Sequence, residues 1–275
     1  MDRLQKAVAL AREKKEAKVT ERTAANTGST VSKADASENI QASLPEARVV
    51  EVSKEQLAAG GVYVDVNSAS ASELQVFRLL RTIVLSKTAE HSWRTIAISS
   101  PTAGQGRSTI AANLAVTLAK DVTNSVLVVD LDLRNPSLHA KFSLDVDTGL
   151  ADLIRGDASL DQVLINPSID RLTVLPGHGT MLNSSENLSK PVMIDLFKKF
   201  SGDSPSKYVV YCLPPILESD DVLKVINKFD CSLLVVEDGG NSTKEIRESL
   251  QVMKRTNFLG YVINKSDTRF SIGAD

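Results

Sequence analysis

The stretch Ile96–Arg134 constrains this chain more than any other. It reads as an apolar strand, a glycine-containing loop, a helix, a second apolar strand and an acidic loop. The first strand is Ile96-Ala97-Ile98-Ser99. The loop runs Pro101-Thr102-Ala103-Gly104-Gln105-Gly106-Arg107-Ser108-Thr109, and a helix follows to about Lys120. The second strand, Val126-Leu127-Val128-Val129, delivers Asp130-Leu131-Asp132-Leu133-Arg134 at its C-terminal end. Glycines let backbone N–H groups curl around phosphate oxygens, and the helix N-terminus adds positive partial charge. A hydroxyl at the loop end suits Mg²⁺, and carboxylates on the next strand suit the metal or its waters. Against the pattern G-x-x-x-x-G-K-[ST], Pro101 stands at the first glycine and Arg107 at the lysine. The strand before, the helix after and Asp130/Asp132 downstream supply the context that such a loop requires.

The rest of the C-terminal part repeats the alternation of strand and helix. Strands are predicted at Leu172–Leu175, Tyr208–Tyr211, Ser232–Val236 and Leu259–Ile263. Helices are predicted from about Gly149 to Gly156, over Ser184–Phe200 with a break at Pro191, over Asp220–Asn227 and over Lys244–Arg255. Several strands are apolar without alternation, which is how a sheet buried on both faces reads. The expected fold is α/β: a P-loop NTPase-like, doubly wound, mainly parallel sheet with helices on both faces. Ligands in such sheets sit at the C-terminal ends of strands, where Pro176-Gly177-His178-Gly179 also falls.

Four segments are expected: an N-terminal helix over residues 1–18, a flexible linker over 19–67, the main domain over 68–268 and a short tail over 269–275. Leu4, Val8 and Ala11 recur at helix spacing. The linker is rich in Ala, Ser, Thr, Glu and Lys and lacks Phe and Trp, so it buries too little apolar area by itself to offset ordering. Its one strand-like patch, Val62–Val66, is expected to dock on the domain. A helix resumes near Ser70 with a stripe of Leu74, Phe77, Leu80 and Val84. The formal net charge of −2 gives no general attraction to nucleic acid. Two cysteines, Cys212 and Cys231, in strand-like runs argue against a disulfide framework and for a reducing compartment.

With these motifs in place, residues 70–267 resemble the bacterial tyrosine kinases. These are the P-loop modules of polysaccharide co-polymerase systems, related to the MinD/ParA ATPases. The branch found in exosortase and exopolysaccharide gene clusters is the most similar. The resemblance is carried by Phe77-Arg78-Leu79-Leu80-Arg81-Thr82, Trp93-Arg94-Thr95, Asp132-Leu133-Arg134-Asn135-Pro136, Leu175-Pro176-Gly177, Leu182-Asn183-Ser184-Ser185-Glu186 and Leu213-Pro214-Pro215, with Asp2–Lys14 at the N-terminus. It implies ATP or ADP with Mg²⁺ as ligands. It places nucleotide contacts at Ala103, Gly104, Gln105, Gly106, Arg107, Ser108 and Thr109, with Asn264 near the base. Ser108 and Asp130 would hold metal, and Asp130 and Asp132 would carry catalysis. It also implies an inner-membrane chain-length partner, a cytoplasmic location peripheral to that membrane, and oligomer contacts through Arg78 and Arg81.

The departures are specific. Cys212 stands where the family's third strand ends in aspartate, two residues before the Pro-Pro pair. Arg107 is longer and planar where a compact ammonium is usual. A thiol is a poor partner for a hard cation. Gln75 replaces the glutamate of the E-x-x-R-x-x-R assembly helix, and the tail after Lys265 has no tyrosine. Tyr208, Tyr211 and Tyr261 fall in predicted core strands. Three readings follow: a regulatory subunit of exopolysaccharide assembly with weakened or lost catalysis, an active tyrosine autokinase, and a MinD/ParA-like switch.

Overall fold

A computed structural model describes residues 45–65, 71–201 and 206–266. The expected N-terminal helix over 1–18 and the tail over 269–275 lie outside them. Eight strands form one sheet in the order β1-β4-β5-β3-β6-β2-β7-β8. They are β1 (Arg48–Val49), β2 (Thr95–Ser99), β3 (Ser125–Asp130), β4 (Ile165–Asn166), β5 (Leu172–Leu175), β6 (Lys207–Cys212), β7 (Cys231–Glu237) and β8 (Asn257–Asn264). Every pairing is parallel except β4 with β5, which meet antiparallel at Ile165 and Val174.

The helices are α1 (Lys54–Ala59), α2 (Ala71–His91), α3 (Arg107–Ala119), α4 (Leu138–Lys141), α5 (Leu150–Arg155), α6 (Leu160–Val163), α7 (Ser184–Leu188), α8 (Pro191–Phe200), α9 (Asp221–Val225) and α10 (Thr243–Met253). Alternate strand residues enter two separate cores. Ile96, Ile98, Val128 and Val210 pack with α3 and α2, while Ala97, Leu127, Val129, Val209 and Tyr211 pack with α8 and α9. Both faces of the central strands are therefore covered, which is why β2 and β6 are buried at every position.

The flexible linker expected over 19–67 does not hold for its described part. Residues 45–65 form β1, α1 and an extended strap on the main domain. Arg48 donates its N–H to Leu164 at 3.0 Å, and Val50 to Asn166 at 2.8 Å, so β1 extends one sheet edge. Ser53 caps α1 reciprocally: its Oγ accepts the Gln56 N–H at 3.2 Å and its N–H donates to Gln56 Oε1 at 2.9 Å. Leu57 and Val62 are buried in the core that contains α3. Buried Asn113 of α3 clamps the strap, donating to Gly61 O at 2.7 Å and accepting the Tyr63 N–H at 2.9 Å. The composition argument failed because α3 supplies the apolar surface that the segment lacks. The strand-like patch docks as expected, but residues 62–65 are not strand.

Lys207 opens β6 with its side chain turned inward. The residue is 4% exposed, and its ammonium has no hydrogen-bond partner among the described residues. It lies 5.9 Å from the Phe200 ring centroid. Burial pushes its pKa down to about 8, with Lys199 adding to the effect. At neutral pH a charge is held where water is scarce, so Lys207→Met should stabilise the fold by on the order of 1–2 kcal/mol after allowance for residual screening. The sign is checked by pH. The lysine's folded value lies below its unfolded value of 10.5, so wild-type stability rises as pH climbs from about 8 to 10.5. The advantage of the methionine variant should be largest below pH 8 and shrink above it in denaturant titrations.

Candidate nucleotide site

Strand order puts the three motif-bearing ends side by side. β6 lies between β3 and β2, and Cys212 is in register with Asp130 on one side and Ile98 on the other. The loop after β2, the acidic turn after β3 and the Pro214-Pro215 turn after β6 therefore meet above the sheet. Hydrogen bonds brace the first of these to the last: Ile216 N–H donates to Ser100 O at 2.9 Å, Leu217 N–H to Pro101 O at 3.0 Å, and the Ser99 hydroxyl to Pro214 O at 2.6 Å.

The loop turns through left-handed conformations at Gly104 (φ 81°) and Gly106 (φ 93°) before α3 begins at Arg107. Gly106 is required twice over. Its φ is one that L side chains rarely adopt, and a Cβ there would stand 2.1 Å from Asn264 Nδ2. That Asn264 amide, at the end of β8, donates to Gln105 O at 2.8 Å. The residue expected near the base thus commits one amide N–H to the loop backbone. Gln105 Nε2 donates to Thr102 Oγ1 at 2.7 Å, while its buried Oε1 has no partner among the described residues. Ala103 and Gly104 are exposed, and Thr109 O accepts from Asn113 Nδ2 at 2.9 Å.

Asp130 is fully buried, and its carboxylate gathers three backbone donors. Oδ1 accepts the Asp132 N–H at 3.1 Å, and Oδ2 accepts those of Ser137 at 2.9 Å and Leu138 at 2.8 Å. Burial nevertheless wins and pushes its pKa up to about 6. Asp132 is raised by burial too, against the pull of Arg107 and the Asn135 N–H. Arg107 donates from its terminal nitrogen to Asp132 Oδ2, and both residues are buried. Its Nε has no partner among the described residues. The arginine at the lysine position is therefore paired within the protein. Separating a buried pair costs about 3–5 kcal/mol, so this charge is not freely available to a phosphate.

Ser108 Oγ lies 2.7 Å from Ser137 Oγ, and Cys212 Sγ approaches it at 3.6 Å. Burial, with Asp130 beside it, pushes the Cys212 thiol up to about 12, so the group is neutral. Among the described residues no three His, Cys, Asp or Glu side chains are grouped to hold a metal. A Mg²⁺ ion brought in on nucleotide phosphates would find the Ser108 hydroxyl as an oxygen donor, with the Asp130 and Asp132 carboxylates behind it supplying negative charge.

Several neighbours of the site escaped the sequence reading. Arg134 turns away from the loop: Nε donates to Ser184 Oγ at 2.8 Å and Nη2 to Asp220 Oδ1 at 3.1 Å, and Ser184 donates to buried Asp221 at 2.9 Å. The Leu182–Glu186 motif thus ties the acidic turn to α9. His178 bonds Asp152 Oδ2 at 2.8 Å rather than an open cleft. Arg78 and Arg81 lie on α2. Arg81 donates to Thr117 O at 3.3 Å and borders a surface hollow with Lys120 and Asp121, near the end of α3 away from the loop. Tyr208 and Tyr211 are buried as expected, but Tyr261 is 45% exposed, because β8 is an edge strand.

Residues 96–273 match the CobQ/CobB/MinD/ParA nucleotide binding domain, so the chain belongs to that class of P-loop proteins. Tyrosine-protein kinase YwqD of Bacillus subtilis is 28% identical over 190 residues, 68% of this chain and 79% of that protein. Tyrosine-protein kinase CpsD of Streptococcus pneumoniae serotype 4 is 30% identical over 182 residues, 63% of this chain and 77% of that protein. Within the class, the chain is a member of the bacterial tyrosine-protein kinase family. Succinoglycan biosynthesis transport protein ExoP of Rhizobium meliloti is 30% identical over 179 residues, 63% of this chain, but the match spans 22% of that protein.

Solved structures share the fold. The chimerical protein CapA2B2 superposes with a TM-score of 0.67 at 24% identity, covering 84% of this chain and 100% of the other. The kinase domain of Escherichia coli tyrosine kinase ETK gives 0.65 at 24% identity, covering 89% and 100%. MinD from Pyrococcus horikoshii, complexed with Mg-ADP, gives 0.52 at 23% identity, covering 63% and 72%.

Proposed function

We propose that this protein is a regulatory, nucleotide-binding subunit of exopolysaccharide biosynthesis or export in which phosphoryl transfer is weakened or lost. The observation that carries the reading is the pairing of Arg107 with Asp132, with neutral Cys212 opposite Asp130. Phosphoryl transfer depends on positioned charge, and two of its charged parts are compromised here. The exopolysaccharide setting is supported by the relative named for succinoglycan biosynthesis transport. ATP or ADP with Mg²⁺ would sit on Ala103–Thr109, with Ser108 toward the metal. No helix among the described residues is long and apolar enough to cross a membrane. The proposed location, by likeness to polysaccharide-export relatives, is cytoplasmic, beside an inner-membrane chain-length protein, with Arg78 and Arg81 of α2 as the contact to that partner or to further copies.

The test is incubation of the full chain with Mg²⁺-ATP, reading nucleotide binding by calorimetry and phosphotyrosine by mass spectrometry. Binding without phosphotyrosine is the expected result. Stoichiometric phosphotyrosine would overturn the regulatory reading in favour of an active autokinase. Exposed Tyr261 gives that second reading an accessible acceptor.

A further inference from the structure

The phosphate loop is already occupied at one end by the protein's own carboxylate. Ala103 N–H donates to Glu218 Oε1 at 2.8 Å. The contact is built in by the backbone, since the two residues preceding Glu218 are bonded to the start of the loop: Ile216 to Ser100 O and Leu217 to Pro101 O. Glu218 is held further by its N–H to Pro215 O at 3.3 Å, which closes a turn directly after the Pro-Pro pair. An exposed side chain is thereby aimed at a backbone donor of the anion cradle.

Position along the loop decides which phosphate this concerns. N–H groups next to the helix start serve the phosphates nearest the nucleoside, and the charged residue at the lysine position serves the outer ones. Ala103 lies four residues before Arg107, on the side facing the turn after β6, where the outermost phosphate of a triphosphate would come. A second observation points the same way: Arg107, whose position serves the outer phosphates, is committed to Asp132. Near the outermost phosphate the protein thus offers a carboxylate in place and no spare cation from the loop. Like charges in contact repel.

We propose that Glu218 sets the phosphate count that the loop accepts, standing in for the terminal phosphate so that the site selects nucleoside diphosphates over triphosphates. This rests on the nucleotide-binding reading above and adds a specificity-determining residue to it. A diphosphate leaves the Glu218–Ala103 contact intact. A triphosphate must displace the carboxylate or share the donor with it.

The experiment is calorimetric titration of the full chain with Mg²⁺-ADP and with a Mg²⁺-bound non-hydrolysable ATP analogue, for wild type and Glu218→Gln. The glutamine keeps the shape and an acceptor oxygen but removes the charge. Wild type is expected to bind the diphosphate at least tenfold more tightly. In the variant the ratio should fall toward one, through tighter triphosphate binding with diphosphate affinity changed less than threefold. Equal ratios in the two proteins, with binding intact, would overturn the role of Glu218 and leave the nucleotide site standing. Loss of diphosphate binding in the variant would also overturn it, making Glu218 a brace of the loop. No binding of either nucleotide to either protein would remove the nucleotide reading itself, and this inference with it.

Discussion

Replacing Arg107 by lysine and Cys212 by aspartate in one chain is expected to raise ATP hydrolysis on the order of a hundredfold over wild type, with each single change giving far less. Lysine is a compact, rotatable charge that reaches phosphate without the planar guanidinium whose one terminal nitrogen is bonded to Asp132. Aspartate at 212 adds a hard oxygen beside Ser108, where the thiol now lies 3.6 Å away. The two changes depend on each other. A new carboxylate in register with buried Asp130 is unfavourable until Mg²⁺ and nucleotide arrive. The double variant should accordingly melt below wild type when empty and show a larger rise in Tm with Mg²⁺-ATP. Hydrolysis is the right readout because it needs no acceptor tyrosine. If nucleotide binds but turnover stays at the wild-type rate, Arg107 and Cys212 are not what limits the chemistry.

Asp130→Ala should destabilise the domain by about 3–5 kcal/mol, with or without nucleotide. The alanine would strand the backbone donors of Asp132, Ser137 and Leu138 around a position that is itself fully buried. Asp130→Asn keeps one acceptor and should cost less than half as much. Denaturant midpoints at constant m-value would show the difference. An alanine variant within about 1 kcal/mol of wild type would mean that water or a shifted turn satisfies those donors. Asp130 would then be no anchor of the acidic turn.

The sequence was most readable where one element satisfies its own requirements. Six strands lie within two residues of their expected bounds, because each is a continuous apolar run long enough to show its period. β1 and β4, at two residues each, carry no period to read. The break at Pro191 was visible, since proline at the first position starts α8 after α7 has ended at Leu188. Within the site, the loop and Asp130/Asp132 were legible as motifs, and so was the oddity of Cys212. What those residues do with their charge was not. Arg107 and Asp132 are 25 positions apart, and Ala103 and Glu218 are 115 apart. Only the alignment of three strand ends brings them together. Tyr261 was misjudged because an apolar run at a sheet edge still turns alternate side chains outward.

The clamp of Asn113 on the strap bears on where this protein can be cut. The family match begins at Ile96, yet the packed sheet and core include residues from Arg48 onward. A fragment starting at Ile96 would lose β1 and leave β4 as a raw sheet edge. It would also uncover the flank of α3 against which Leu57 and Val62 now pack, and strip the Asn113 amide of two partners. Asn113 sits one turn after Thr109, whose carbonyl it also holds. Trimming the chain to its recognisable motif would therefore loosen the loop itself, and any nucleotide affinity of such a fragment is expected to fall below that of a chain that keeps residues 48–95.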